Sequence, residues 1–223
     1  MKLIQRAVGL ALEAETDGKA RIEREMVFYC KVKDFSFLGH AVHTEFQEQW
    51  QIKVPKTDEN SGSARIRSRY SVGLDGVKSY VLTSKLKMES GESEVEIPSS
   101  PDSHHHFKVI SDQGMRKVRY VFPIGDSELN FEVDVYFNSK DADENTPRTD
   151  ETFSPWVKVD IEVPEGSKLD ATIGEDGTTI SLNFPFQFEK IITKAMAEKD
   201  NAIQVLMNSL YDDVFLLKNQ ATA

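Results

Sequence analysis

Arginines and lysines recur at every second position in three short stretches of this chain, and carboxylates do so in three others. The basic blocks are Arg65, Arg67 and Arg69, then Lys85 and Lys87, then Lys117 and Arg119; the acidic ones are Glu23 and Glu25, Glu132 and Asp134, and Asp160 and Glu162. Side chains two apart leave a strand on the same side, so each block makes a patch of one sign. Like charges at that spacing repel unless opposite charge lies among them. Acidic blocks facing basic ones across a closed sheet would supply it, and so would a polyanion bound together with a divalent metal. Grouped carboxylates suit Mg2+ or Mn2+, hard ions that prefer oxygen ligands. Arginine grips phosphate oxygens bidentately, and lysine meets them as a point charge. Metal on one side and guanidinium groups on the other would clamp a triphosphate and neutralise charge on its departing phosphoryl group.

The elements that must carry these residues have a period of two. Alternation, or near alternation, runs through 21–33, 43–54, 64–73, 78–88, 115–124, 129–137 and 156–163, with a shorter run at 93–97. Gly, Pro, Asn, Asp and Ser clusters bound most of these runs, and Asp75–Gly76 is a hairpin signal. In 158–163, Lys158, Asp160 and Glu162 oppose Val159, Ile161 and Val163. The ordinary use of such a face is the wet side of an antiparallel sheet. Glu45, Gln47, Gln49, Gln51 and Lys53 have the mixed polar composition of that wet side. Helical period is clear only near the end, where Ile203, Leu206, Met207, Leu210, Val214 and Leu217 form one stripe and Asp200 or Asn201 caps its start. A weaker helix is expected after Pro98, and 138–152 reads as an exposed loop with the composition of a disordered segment. The expected architecture is an all-β-dominated α+β fold. Its eight-stranded antiparallel closed barrel forms one domain over 1–223, with a C-terminal helix of about 200–218 packed outside.

Composition narrows the function. The 223 residues carry a formal net charge of −10, which argues against an extended nucleic-acid-binding surface while permitting a small cationic pocket. Cys30 is the one cysteine, so no intrachain disulfide forms and a reducing, cytoplasmic setting is expected. Glu13 and Glu15 interrupt the apolar run near the start, unlike a secretory signal, and no stretch has the length of a membrane-spanning helix. His104, His105 and His106 are adjacent, a spacing that suits a surface stretch better than one metal ion. Cys30, among Phe28, Tyr29 and Val32, reads as packed. No P-loop, G-x-S-x-G or G-x-G-x-x-G is present.

The order of the blocks resembles the CYTH superfamily, the triphosphate tunnel metalloenzymes. The matching segments are IERE (22–25), ARIRSR (64–69), YVLTSKLK (80–87), EVEI (94–97), KVRYVF (117–122), EVDVYF (132–137), KVDIEV (158–163) and EKIITKA (189–195). The resemblance implies an eight-stranded barrel whose polar tunnel holds Mg2+ or Mn2+ and hydrolyses or cyclises triphosphates. Carried over by position, Glu23, Glu25, Asp160 and Glu162 would bind metal or position water, with Glu23, Glu25 and Glu162 as the catalytic set. Asp134 would join the metal ligands, and Glu96 would be a further tunnel carboxylate. Arg65, Arg67, Lys85, Lys87, Lys117 and Arg119 would grip phosphate. With Glu23 and Glu25 as the glutamates of the superfamily's first motif, Val27 stands where that motif carries lysine; in the other register Glu25 stands there and Arg21 replaces the first glutamate.

The first functional expectation is divalent-metal-dependent hydrolysis of inorganic triphosphate, a nucleoside triphosphate, thiamine triphosphate or an RNA 5′-triphosphate. The alternatives are a tunnel that binds a nucleotide or polyphosphate without turnover, and a structural or protein-interaction module whose charges satisfy one another. The partner in the first two is a small molecule, with no membrane involved.

Overall fold

A computed structural model describes residues 23–54, 63–88, 91–111, 113–164 and 182–218, mostly as antiparallel strand with few helices. The strands are β1 (Glu23–Val32), β2 (His43–Val54), β3 (Ser63–Gly73), β4 (Lys78–Met88), β5 (Gly91–Pro98), β6 (Gln113–Pro123), β7 (Asn130–Phe137), β8 (Phe153–Pro164), β9 (Phe188–Thr193) and β10 (Leu217–Lys218). Every alternating run of the sequence becomes a strand. Strands β9 and β10 were not anticipated; adjacent Glu189 and Lys190 break the alternation of the first, and the second has two residues. The acidic pair Glu13 and Glu15 and the segment around it lie outside the described residues.

The chain divides into two compact units, one built on Gln47–Met115 and the other on Arg24–Phe46 and Arg116–Leu216. Strand order is β5-β4-β3-β2 in the first and β6-β7-β8-β1-β9 in the second; among the described residues no pairing closes either run into a barrel.

In the first unit, β3 and β4 form a long hairpin from Ser63↔Lys87 to Val72↔Lys78, and β4 continues into β5 from Val81↔Pro98 to Met88↔Gly91. Gly76, at φ +75°, turns the hairpin, and the Asp75 carboxylate accepts from Val77 N at 3.0 Å. Only glycine takes that conformation without cost, so the Asp-Gly signal acts as read. Helix α1 (Pro101–Ile110) starts on Ser100, whose hydroxyl accepts from Ser103 N at 3.2 Å, with proline at the first helical position. It sets Phe107 into a core of Trp50, Ile66 and Leu82, with Ile52, Ile97 and Leu217 against it.

A buried polar chain ties that helix to the sheet. His104 Nδ1 lies 2.9 Å from Ser68 Oγ and Nε2 lies 3.4 Å from Glu48 Oε1, which also accepts from Trp50 Nε1 at 3.0 Å and from Lys108 Nζ at 3.3 Å. Ser68 is fully buried, so its hydroxyl packs rather than attacks. His104→Ala is expected to cost about 1–3 kcal/mol, because Ser68 loses its partner out of reach of water. Urea denaturation checks this, and adding Ser68→Ala to that variant should cost less than it does in the native chain.

The second unit buries both faces of its sheet. Val118, Tyr120 and Phe122 of β6, Phe131, Val133, Val135 and Phe137 of β7, and Val157, Val159 and Ile161 of β8 make the apolar side. Phenylalanines cover it: Phe37 meets Phe122 and Phe186, and Phe184 meets Phe28 and Phe131. The other side carries Tyr136 and Trp156, and on it packs the terminal helical segment. That segment comprises α2 (Lys194–Lys199), α3 (Asn201–Ser209) and a π-helical turn at Leu210–Phe215. Thr193 and Asp200 cap the two helices through Met196 N and Ala202 N. The expected single helix to about 218 is thus shorter: Ile203, Leu206, Leu210 and Val214 pack with Tyr136 and Ile192, while Leu217 has already entered β10.

The acidic segment 138–152 is a mostly exposed loop of successive turns, as expected. Asn138 Nδ2 donates to the carbonyls of Glu151 and Phe153, Thr146 Oγ1 accepts from Asp143 N, and Thr152 Oγ1 accepts from Thr149 N. Short polar side chains close each local turn through the backbone, which composition alone does not reveal. Lys140 Nζ reaches from this loop to the carbonyls of Val214 and Leu216 at 3.3 and 2.9 Å, satisfying acceptors left by the π-helical turn. No helix among the described residues is long and apolar enough to cross a membrane.

Candidate functional site

Register decides which charged side chains meet. In the first unit Arg65 stands opposite Lys85, Arg67 opposite Thr83, Thr83 opposite Glu96, and Lys85 opposite Glu94. These residues, with Arg69, share the side of the sheet opposite the Ile66–Leu82 core. Arg67 is the centre of the group. Its Nη2 donates to Glu94 Oε1 at 3.3 Å and Thr83 Oγ1 at 3.4 Å and lies 3.6 Å from Glu96 Oε1. Lys85 pairs with the second oxygen of Glu94, and Arg69 Nη2 donates to Glu96 Oε1 at 3.2 Å. Thr83 Oγ1 adds a bond to that same Glu96 oxygen at 2.9 Å.

Arg67 is partly enclosed, at 22% side-chain exposure. Burial, and then the adjacent Arg69, lower its pKa from the ordinary value, while Glu94 and Glu96 oppose the shift. Its buried Nε finds no hydrogen-bond acceptor among the described residues. A small depression lies beside it, lined by Gln49, Gln51, Gly114 and Met115. Gly114 is there because a Cβ would sit 2.6 Å from the Trp50 ring and 2.8 Å from the carbonyl of Gln49. Here the wet-side expectation for β2 fails. Gln47 and Gln49 are buried, and Gln49 Nε2 donates to Gln47 Oε1 at 3.0 Å. That bond pairs one donor with one acceptor, which helps glutamine to sit inside a sheet where its composition reads as solvent-facing.

In the second unit Arg119 stands opposite Asp134, Asp134 opposite Lys158, and Glu132 opposite Asp160. Arg119 holds Asp134 bidentately, Nε to Oδ1 at 2.7 Å and Nη2 to Oδ2 at 3.0 Å, and Lys117 Nζ shares Oδ2. Arg119 also pairs with Glu132 and lies 3.8 Å from Asp160, which Lys158 meets at 2.5 Å. Three cations thus answer three carboxylates. Burial alone would raise the Asp134 carboxyl; Arg119 and Lys117 overcome it and hold the group well below the usual carboxylate range. Burial, then Arg119, pull Lys117 down to about 8 against the attraction of Asp134. Burial and the nearby Asp134 and Asp160 charges push the Tyr136 hydroxyl up.

The expected site residues fall on both units. Arg65, Arg67 and Lys85 gather on the first unit's sheet; Lys117, Arg119, Asp134 and Asp160 gather on the second's; Glu162 is exposed on β8. Glu23, Glu25 and Lys87 fall within β1 and β4, but their side chains lie outside the described residues. Among the described residues no three His, Cys, Asp or Glu side chains converge as a metal ion requires. Asp134 fits a metal poorly for a direct reason: two cations already occupy its oxygens and would repel a third charge of the same sign. Burial pushes the Cys30 thiol up, away from nucleophilic use.

Glu94, Glu132 and Lys158 join these groups, although the resemblance assigns them no site role. Glu94 lies two positions before Glu96, so strand period alone would have placed it in the group. Lys158 and Glu132 share a face with Asp160 and Asp134 by the same arithmetic. No protein-family model matches the chain, and no curated protein matches it in sequence.

Proposed function

We propose that this protein binds a small phosphate-bearing anion, a nucleotide or polyphosphate, on the β3–β4 face around Arg67 without turning it over. One observation carries the reading. In a chain of net charge −10, Arg65, Arg67, Arg69 and Lys85 gather on one face of β3 and β4, where Glu94 and Glu96 of β5 lie among them. Arg67, at the centre of this group, is half-buried at 22% side-chain exposure, so its field is screened less than at an open surface. Gln49 and Gln51 border the depression beside Arg67.

The proposal favours binding over turnover because Glu94, Asp134 and Asp160 are each engaged by a lysine. A closed eight-stranded tunnel around this face would deepen the enclosure, as the CYTH resemblance implies, but recognition here needs only the face. The third alternative, charges that merely satisfy one another, describes the balanced cluster on β6, β7 and β8 better than the unbalanced one on β3 and β4.

Calorimetric titration with inorganic tripolyphosphate and with ATP at low salt tests the reading. Arg67→Ala should weaken binding about 30-fold or more, the effect of removing one member of an enclosed, hydrogen-bonded charge pair. Absence of heat with both compounds removes the proposal. Phosphate release in the presence of Mg2+ or Mn2+ would replace it with the hydrolytic reading.

A further inference from the structure

Glu94 and Glu96 hold the cations of the proposed anion site in a way that a ligand would have to undo. Glu94 spans Arg67 and Lys85; Glu96 spans Arg69 and Arg67 and takes the Thr83 hydroxyl as well. Each carboxylate thus bridges two cations, with Arg67 common to both. Two positions along a strand separate their Cα atoms by about 6.8 Å. The pair therefore resembles two linked anionic groups laid along the β3–β4 face.

We propose that Glu94 and Glu96 are a built-in competitor: they occupy the cationic face until a ligand with at least two linked anionic groups displaces both. The inference rests on the phosphate-binding reading above and adds its regulation and its ligand selectivity. Three features make displacement feasible. The two side chains are 32% and 42% exposed, so they swing into water without crossing a packed core. They are glutamates, with long side chains that reach the cations from the neighbouring strand β5 and let go without backbone movement. Ion pairs at this exposure are individually weak and yield to a ligand of higher charge density. A single phosphate group reaches one bridging position and leaves the other carboxylate in place, whereas a chain of phosphoryl groups reaches both.

The competition has a direct signature: neutralising the competitor strengthens binding. Glu94→Gln combined with Glu96→Gln keeps side-chain size and hydrogen bonding while removing two negative charges from the face. Calorimetric titration at low salt should show inorganic tripolyphosphate binding the double variant about tenfold or more tightly than the native chain. The native chain should bind orthophosphate at least about tenfold more weakly than tripolyphosphate. Glu96→Gln alone, at the more exposed of the two positions, should give a smaller gain; it serves if circular dichroism shows the double variant misfolded. Native binding of tripolyphosphate with unchanged or weaker binding in the folded variants overturns the competitor and leaves the site standing. Absence of binding to the native chain and to the variants alike overturns both.

Discussion

Asp134→Asn is expected to destabilise the protein by about 3–5 kcal/mol, the usual consequence of removing one partner from a buried ion cluster. Asp134 is fully buried and accepts from Arg119 through both oxygens and from Lys117 through one. The asparagine retains the shape but leaves two buried cations facing a neutral group and Lys158 nearby. The native cluster has three charges of each sign; the variant carries an uncompensated positive charge in a site that water reaches poorly. Urea denaturation at neutral pH measures the loss, and a change below about 1 kcal/mol would show that water or side-chain movement relieves the cluster.

The same residue sets an acid dependence. Its carboxyl is held below the ordinary aspartate range in the folded chain, so the unfolded chain takes up the proton first as pH falls. Its contribution is fully present above the ordinary aspartate pKa and is lost as pH falls from there through the lower folded-state value. The native chain should lose stability progressively below about pH 4, whereas the asparagine variant should lack that component of the slope.

The strands were legible because a period of two survives almost any side-chain substitution that respects it. Lys85 and Leu82 declare opposite faces, and the structure separates them as expected. The sheet-level grouping of charges was legible in part. Arg119 and Asp134 both sit in blocks of one sign, but that they stand directly opposite each other depends on pairing register, which strand period does not contain. Gln47 and Gln49 show the converse limit. Their composition reads as wet, and the contact between the two amides, which helps them to be buried, is not written in that composition. The helical stripe near the end identified the packed residues Ile203, Leu206 and Leu210, yet periodicity could not show the widened turn from Leu210 to Phe215. Phe215 was outside the stripe for that reason: a turn with an extra residue rotates it inward.

Phe215→Ala should therefore cost about 3–5 kcal/mol, comparable with the loss of the central carboxylate. Phe215 is 2% exposed, stacks on Tyr29 with ring centroids 5.6 Å apart, and meets Tyr136 at 4.2 Å. Truncation removes both aromatic contacts and leaves a void beneath a turn that Lys140 pins by two carbonyls. A loss of that size corresponds to a fall in melting temperature of roughly 10 °C for a chain of this length. Tyr211→Ala, at an exposed position in the same turn, should stay within about 0.5 kcal/mol. The aromatic contact also bears on the charges. Tyr136 stands opposite Lys117 and two residues beyond Asp134, so the Phe215 ring packs on a side chain that borders one end of the buried ion cluster. Opening that end admits water, which solvates the cations that Asp134→Asn leaves exposed to one another. The two substitutions should then combine to less than the sum of their separate costs, whereas strict additivity would mean that the aromatic cap and the ion cluster stabilise the sheet independently.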